Sequence, residues 1–228
     1  MFALSKSEKI FSVIFALIVI AELITGNSEA YIKWHYFFKP AIVISLLVFF
    51  WKESKGLQTK LRYFVALALV CSLIGDVLLM FVEQSPNYFL FGLVSFLIAH
   101  IMYVIVFLHH RNETLKPLGF VSVLLLYAIG LFYVLKDGLN DMLIPVVVYM
   151  LIILSMSTAA FLRQKKAPRI SFIFVLIGAL LFMISDSLLA LNKFYTPLAY
   201  SNISIILTYA LAQYCIVFGL LKLSQTSR

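Results

Sequence analysis

The sequence between residues 62 and 82 is RYFVALALVCSLIGDVLLMFV. After Arg62 this stretch is almost wholly apolar, and its length matches the ~20 residues that an α-helix needs to cross the hydrocarbon core of a bilayer. Its single acidic side chain is Asp76. Because an unpaired charge in lipid costs several kcal/mol, such a side chain has to face protein or water. The stretch therefore predicts a transmembrane helix whose carboxyl group points into the interior of a bundle.

The rest of the chain follows the same pattern. Of its 228 residues, 63% are hydrophobic and 12% are charged, which leaves too little polar surface to cover a soluble globule of this size. A transmembrane barrel would show ~10-residue segments of alternating polarity, and none is visible. We therefore predict an all-α fold, a single integral membrane domain over 1–228 that forms a polytopic bundle of about eight transmembrane helices. Charged or turn-rich breaks place the spans at roughly 9–25, 35–51, 62–82, 88–109, 117–135, 141–162, 170–191 and 199–222.

The prolines support these boundaries. Proline is tolerated at a helix start because its missing N–H would have no partner there. At or near predicted helix starts lie Pro40, Pro117, Pro145 and Pro197, whereas Pro86 and Pro168 fall in predicted loops. We expect the boundaries to hold to within a few residues.

The Lys and Arg residues are distributed unevenly between the two sides of the membrane. If the N-terminus is cytoplasmic, all but a few of the 18 Lys and Arg residues, Arg228 included, fall inside, and the outer ones are Lys33, Lys39, Lys136 and Lys193. This bias predicts an even number of spans and cytoplasmic termini. We expect the bacterial inner membrane, or the endoplasmic reticulum in a eukaryote. The same distribution explains the net charge of +8 without a nucleic-acid partner.

The first span also resembles a signal peptide. Lys6 and Lys9 precede its apolar run, and Ser28-Glu29-Ala30 resembles a cleavage site. The uneven distribution of Lys and Arg, however, arises only if this span is counted, so we expect it to remain uncleaved.

A short repeat relates the third span to the seventh. Gly75-Asp76-Val77-Leu78-Leu79 is similar to Ser185-Asp186-Ser187-Leu188-Leu189. Such a duplication predicts two parallel four-helix units, which would bring Asp76 and Asp186 to related places in one bundle. The motif is short and rich in leucine, so chance similarity stays open as an explanation.

Few polar groups lie inside the predicted spans, and several of them share helix faces. The ionisable ones are Glu22, Lys39, Asp76, His100 and Asp186. Residues three, four or seven apart stack along one side of a helix. By this rule three inward faces carry Ser72 with Asp76, His100 with Tyr103, and Asn202 with Tyr209 and Gln213. These faces predict a polar site in the outer half of the bundle, with Glu22 and Lys39 near the outer helix ends.

Each of these residues also has a structural interpretation. Asp76 and Asp186 can serve as hydrogen-bonding links between helices, which are worth only ~1 kcal/mol in model systems. His100 can be a satisfied structural histidine. Glu22 and Lys39 can snorkel to the interface or form an ion pair with each other.

Several of these pieces, taken together and in order, resemble the YhhN-like lysoplasmalogenase family of membrane proteins, which includes the animal transmembrane lysoplasmalogenases. The resemblance spans nearly the whole chain. Its pieces are Lys39-Pro40, Ser72-Leu73-Ile74-Gly75-Asp76, Phe91-Gly92-Leu93-Val94-Ser95-Phe96 leading to His100 and Tyr103, Gly178 to Asp186, and Thr208-Tyr209 followed by Gln213.

The resemblance implies hydrolysis of the vinyl-ether bond of lysoplasmalogens, giving a fatty aldehyde and glycerophosphoethanolamine or glycerophosphocholine. The substrate would be a lysophospholipid met among membrane lipids, and the chemistry implies no cofactor. Protonation of the alkene carbon needs an acid, and the resulting cation needs an anion. Two nearby carboxyl groups in an apolar site can divide these roles, as they do in glycosidases. We assign the acid to Asp186 and the anion to Asp76, and the reverse assignment stays open.

The remaining polar residues are then expected to hold the substrate and the water. His100, Tyr103, Tyr209 and Gln213 would position water and the glycerol oxygens, with His100 counted among the catalytic residues. Lys39 would attract the headgroup phosphate. Further substrate contacts are expected from Ser72, Asn202 and Glu22. The sequence carries no signal for an oligomeric state.

Three other functions compete with this one. A metal hydrolase is disfavoured because His100 is the only deep imidazole, with His35, His109 and His110 at or beyond span ends, whereas catalytic zinc takes three protein ligands rich in His. A serine hydrolase would need a Gly-x-Ser-x-Gly elbow, which is absent. A proton-coupled transporter or lipid-binding carrier remains the main alternative, because paired intramembrane carboxylates and duplicated halves also mark transporters.

Overall fold

The computed structural model describes residues 5–223, and this part of the chain is helical, with short 3-10 turns and no strands. Arg228, counted above among the cytoplasmic cations, lies outside the described residues. The α-helices, numbered in chain order, are α1 Lys6–Thr25, α2 Ile32–Glu53, α3 Thr59–Leu79, α4 Pro86–Leu108, α5 Leu118–Leu135, α6 Leu143–Phe161, α7 Arg169–Phe194 and α8 Ser201–Leu221. The prediction of an all-α bundle is confirmed.

Seven of the described helical segments are long and apolar enough to cross a membrane. The exception is α1, whose 20 residues include Lys6, Glu8, Lys9 and Glu22. Its surface nevertheless exposes an apolar stripe along the whole helix, formed by Ile10, Val13, Ile14, Leu17, Ile20 and Ile24. A stripe of this length is stable only against lipid or protein. We therefore describe α1 as the eighth helix of the membrane bundle.

Two of the proline positions differ from the prediction. Helix α2 begins at Ile32 rather than at residue 35, so Pro40 lies inside the helix. Pro86 is the first residue of α4 rather than part of a loop, and Ser85 caps this helix by accepting a hydrogen bond from the Asn87 N–H at 3.3 Å. The first N–H of a helix has no intrahelical acceptor, which is why proline fits there.

The two halves of the chain have matching helix bounds. When the offset that separates Asp76 from Asp186 is added to α1, α2, α3 and α4, the shifted ranges overlap α5, α6, α7 and α8 in turn. The most extensive helix contacts are those of α3 with α4 and of α7 with α8, which are equivalent pairs under this offset. The helix positions therefore follow the pattern that a duplication would produce.

Small residues allow the closest helix approaches, as is common where helices pack in lipid. A Cβ built on Gly178 of α7 would lie 2.8 Å from the Ala212 carbonyl oxygen and 2.7 Å from Ile216 Cγ1 of α8. A Cβ on Gly75 of α3 would lie 2.6 Å from the Phe96 ring of α4. These contacts fix α3 and α7, which carry the two aspartates, against their neighbours.

We call the end of the bundle at which α3 and α7 finish, and at which α4 and α8 begin, the distal end. The charge bias described above predicts that this end faces outward. Helix α8 is heavily buried, whereas α5 lies at the periphery and buries only Leu124 and Leu135. The distal half of the bundle, around α3, α7 and α8, holds both aspartates.

Substituting Gly178 with alanine should destabilise the protein because the new methyl group meets backbone atoms of α8. We expect a loss of about 1–3 kcal/mol, which lowers the Tm in detergent by roughly 3–8 °C. Gly130 of α5 is the matched control, since a Cβ there has no neighbour within 4 Å. Gly130→Ala should leave the Tm unchanged or raise it, because alanine favours a helix by about 1 kcal/mol. Equal Tm values for the two variants would contradict the packing described here.

Candidate active site

Asp76 and Asp186 both line one polar cavity in the distal half of the bundle. Its volume is about 240 Å³. Among the residues predicted for the site, Lys39, Asn202 and Tyr209 also line this cavity. The structure thus brings both carboxyl groups of the sequence repeat to one space.

Asp76 is held by a hydrogen-bonded cluster between α3, α4 and α8. The Tyr209 hydroxyl donates to Asp76 Oδ2 at 2.7 Å. Behind it, Gln213 Nε2 donates to Ser72 Oγ at 3.0 Å, and the Tyr103 hydroxyl donates to Gln213 Oε1 at 2.7 Å. All five side chains are buried. Ser72, Tyr103 and Gln213, which were predicted to contact substrate, therefore lie behind Asp76 rather than in the cavity wall.

Asp186 has different neighbours, on α4 and α6. The Tyr149 hydroxyl donates to Asp186 Oδ2 at 2.6 Å. His100 Nε2 lies 3.8 Å from the same oxygen, which is too far for a hydrogen bond. The His100 ring is fully buried between Tyr149 and Phe182, and neither ring nitrogen has a hydrogen-bond partner among the described residues. Asp186 remains partly open, with 16% of its side chain exposed.

An apolar pocket lies on the other side of Asp186, between α4, α5, α6 and α7. Its walls include Leu93, Ala128, Leu131, Met150, Ile153 and Ala190. Asp186, Phe89 and Phe96 line both this pocket and the polar cavity. The Tyr127 hydroxyl donates to Ser187 Oγ at 2.7 Å and so links α5 to α7 beside Asp186. Asp186 therefore stands where a polar space and an apolar space meet.

Glu22 lies in the last turn of α1, whereas Lys39 lies about two turns inside the distal end of α2 rather than near that end as predicted. Lys39 lines the polar cavity together with Asp76. Glu22 lines neither space, and its carboxylate lies 2.7 Å from His35 Nδ1. Within the described residues Glu22 and Lys39 form no ion pair at contact distance, so of the two structural alternatives the direct pair between them is wrong. Asn202 Nδ2 donates to the Gly26 carbonyl at 3.0 Å, which joins α8 to the turn between α1 and α2.

Comparison with known proteins identifies the family. A model of the YhhN family matches residues 34–220. The chain belongs to the YhhN family. Lysoplasmalogenase TMEM86B of Homo sapiens is 33% identical over 181 residues, covering 79% of this chain and 72% of that protein. Lysoplasmalogenase TMEM86A of Homo sapiens is 35% identical over 158 residues, covering 67% of this chain and 62% of that protein.

The resemblance recognised in the sequence is therefore confirmed. Lysoplasmalogenase TMEM86B of Mus musculus is also similar, with 29% identity over 187 residues that cover 79% of this chain and 72% of that protein. No solved structure matches the chain. The range matched to the YhhN family includes both aspartates, Lys39 and His100, whereas Glu22 of α1 precedes it.

The described part of this YhhN-family chain offers no grouped metal ligands. In residues 5–223 no set of three or more His, Cys, Asp or Glu side chains is close enough together to hold a metal ion. The two cysteines, Cys71 and Cys215, are both free.

Sequence reasoning missed three residues of the site. Tyr149 donates to Asp186, and Asn192 and Lys193 line the polar cavity. The repeat could have identified Tyr149, because it is the equivalent of Lys39 under the offset between the two aspartates. Lys193 was assigned only a topological role, since a lysine near a helix end is explained well enough by the membrane surface.

Replacing Tyr103 with phenylalanine should destabilise the cluster behind Asp76. The variant leaves the buried Gln213 Oε1 without its donor, which costs about 1–3 kcal/mol. The Tm in detergent should fall by several degrees. Tyr133→Phe is the control, since Tyr133 is an exposed residue of α5 whose hydroxyl makes no hydrogen bond in the described structure. If both variants unfold at the wild-type temperature, the cluster adds nothing to stability.

Proposed function

We propose that this protein is a membrane hydrolase that cleaves the vinyl-ether bond of lysoplasmalogens, releasing a fatty aldehyde and glycerophosphoethanolamine or glycerophosphocholine. The proposal is supported by membership of the YhhN family and by similarity to relatives named lysoplasmalogenases. The observation that carries it is the position of Asp186 between a polar cavity and an apolar pocket.

The two spaces differ in polarity in the same way as the two ends of a lysophospholipid. A single alkenyl chain would lie in the apolar pocket against side chains such as Leu131 and Ile153. The glycerophosphate would occupy the polar cavity, where Lys39 and Lys193 supply positive charge and Asn202 supplies an amide. The vinyl-ether bond joins these two parts of the lipid, so it would lie beside Asp186.

The proposed reaction begins with proton transfer from Asp186 to the alkene carbon that does not bear oxygen. A C–H bond forms as the π bond breaks, which leaves an oxocarbenium cation at the carbon attached to oxygen. Water adds to that carbon and returns a proton to the Asp186 carboxylate, giving a hemiacetal. Breakage of the C–O bond then releases the aldehyde, while the glycerol oxygen takes the hemiacetal proton.

The surroundings of the two aspartates support this division of roles. A tyrosine hydroxyl donates to each aspartate, but Asp76 also shares the polar cavity with Lys39, which suits a carboxylate that faces a cation and a water. Asp186 borders apolar walls and contacts Tyr149, with His100 nearby. Tyr149 orients the Asp186 carboxyl group in this mechanism. Ser72, Tyr103 and Gln213 act indirectly, since they fix Tyr209 and Asp76.

We further propose that the termini are cytoplasmic, in a bacterial inner membrane or in the endoplasmic reticulum of a eukaryote. The polar cavity at the distal end would then open toward the outer leaflet. A proton-coupled transporter is the alternative function for the same carboxylates. A transporter needs two compartments and makes no product, so aldehyde release by purified protein in detergent separates the two functions.

Neutralising either aspartate should abolish most of the activity. We expect Asp76→Asn and Asp186→Asn to lower kcat for aldehyde release from a lysoplasmalogen by about 100-fold or more, because each removes a charge or a proton that the reaction needs. The assay is aldehyde release by purified protein, with the Tm of each variant as the folding check. Asp141→Asn, at an exposed turn before α6, is the control and should keep wild-type kcat.

Two results would contradict the proposal. A folded Asn variant that keeps wild-type kcat would remove that aspartate from the mechanism. Absence of aldehyde from the wild type over a range of pH values and detergents would exclude this substrate.

Filling the apolar pocket should change the preference for chain length. Ala128→Phe places a ring in the pocket, so we expect KM to rise about tenfold for a long-chain lysoplasmalogen and much less for a short-chain one, since each excluded CH₂ is worth ~0.8 kcal/mol. Ile129→Phe is the control, because the neighbouring Ile129 side chain is 65% exposed on the lipid-facing side of α5. An equal rise of KM for both chain lengths would place the chain elsewhere.

A further inference from the structure

The two ends of helix α5 are fixed against neighbouring helices. Near its start the Phe120 ring stacks on the Phe161 ring of α6, with the ring centroids 4.3 Å apart. Just after its end a Cβ built on Gly138 would clash with the Phe194 carbonyl oxygen, so the chain lies directly against the last residue of α7. A lipid headgroup at the distal end therefore cannot pass between α5 and α7.

The middle of α5 makes one side-chain hydrogen bond to another helix within the described residues. The Tyr127 hydroxyl donates to Ser187 Oγ of α7 at 2.7 Å. The Ser187 hydroxyl itself donates to the Met183 carbonyl at 2.7 Å, so its own proton is used within α7. Because α5 buries only Leu124 and Leu135, little packing opposes a separation of its middle from α7.

Tyr127 and Ser187 stand between the apolar pocket and the outside of the bundle. Both line the pocket, and Ser187 directly follows Asp186 in the chain. Tyr127 is nevertheless 40% exposed, and Ile184, which is one helical turn before Ser187 on the same side of α7, is 41% exposed. In a membrane bundle these exposed side chains face lipid. The hydrogen bond of Tyr127 to Ser187 therefore closes the pocket toward the bilayer.

The proposed reaction leaves its two products in different spaces. The glycerophosphate lies in the polar cavity and the aldehyde chain in the apolar pocket, on opposite sides of Asp186. An aldehyde that left through the polar cavity would have to pass the glycerophosphate, Lys39 and Lys193. A passage between α5 and α7 keeps the chain in apolar surroundings throughout. The aldehyde also lacks the headgroup that the contact between Gly138 and Phe194 would stop.

We infer that the fatty aldehyde leaves the apolar pocket sideways into the bilayer, between α5 and α7, and that the hydrogen bond of Tyr127 to Ser187 opens for each release. This inference rests on the proposed function. The glycerophosphate leaves separately, through the polar cavity. Tyr127 and Ser187 then control product release and take no part in proton transfer.

A reversible cross-link between α5 and α7 tests this exit. In a Tyr127→Cys, Ser187→Cys variant, a short bifunctional methanethiosulfonate should lower the steady-state kcat for a long-chain lysoplasmalogen by about tenfold or more, and a reductant should restore it. The first turnover, stopped with organic solvent, should keep its rate because the chemistry precedes the opening. A Phe120→Cys, Phe161→Cys variant is the matched control, since the same cross-linker there joins helices that are already in contact and should leave kcat unchanged.

A second measurement does not depend on catalysis. In vesicles, an N-alkyl maleimide that partitions into the bilayer should label an Ala128→Cys variant several-fold faster when Tyr127→Phe is added, whereas a charged, membrane-impermeant maleimide should show no such acceleration. Ile129→Cys is the control and should be labelled at the same rate with and without Tyr127→Phe, because Ile129 already faces lipid. All the cysteine variants carry Cys71→Ala and Cys215→Ala, so that only the introduced thiols react.

The outcomes separate the inference from the proposed function. The exit between α5 and α7 would be overturned if the cross-linked protein kept its steady-state kcat, or if the cross-link slowed the first turnover equally. Equal labelling of the Ala128→Cys thiol with and without Tyr127→Phe would also overturn it. Faster labelling in a protein that releases no aldehyde would support an opening of the pocket toward lipid while excluding the proposed reaction.

Discussion

The hydrocarbon core of a bilayer offers neither hydrogen-bond partners nor counter-ions, so the polar side chains at the centre of this bundle take their main partners from other helices. Tyr209 of α8 donates to Asp76 of α3, and Tyr149 of α6 donates to Asp186 of α7. Tyr103 of α4 donates to Gln213 of α8. The same bonds that satisfy these groups also set which helices are neighbours. The hydrogen bonds that join the helices in the interior of the bundle are therefore also those that hold the residues of the candidate site.

The matching helix positions of the two halves give the two aspartates related positions with different partners. Lys39 of α2 and Tyr149 of α6 are equivalent residues of the two halves, and each faces the aspartate of its own half. Tyr103 and Gln213 are also equivalent to each other, and they meet in a hydrogen bond. At this pair of equivalent positions Asp76 thus has a lysine that shares its cavity, whereas Asp186 has a neutral tyrosine hydroxyl. This divergence is a physical basis for two carboxyl groups with different roles.

The site also combines a polar environment with an apolar one. Its polar cavity collects charged side chains and amides, and its apolar pocket lies against the peripheral helix α5. If an amphiphile places its polar end in the cavity and its chain in the pocket, the bond that joins these two parts lies beside Asp186. The position of Asp186 between the two spaces therefore supports a lipid substrate more strongly than the identity of the polar residues does.

The all-α membrane class and the approximate helix bounds could be predicted from the sequence, because an apolar stretch in lipid has few alternatives to a helix. The family could be recognised from the order of its short motifs. The sequence also indicated Asp76 and Asp186 as candidate site residues, because charged side chains inside a membrane are costly and therefore rare. The packing of the helices was needed to show that Ser72, Tyr103 and Gln213 lie behind Asp76, and that Glu22 pairs with His35. It likewise revealed Tyr149 and the apolar pocket. Helical periodicity gives the face on which a residue lies, whereas the partner of that face depends on how the helices pack.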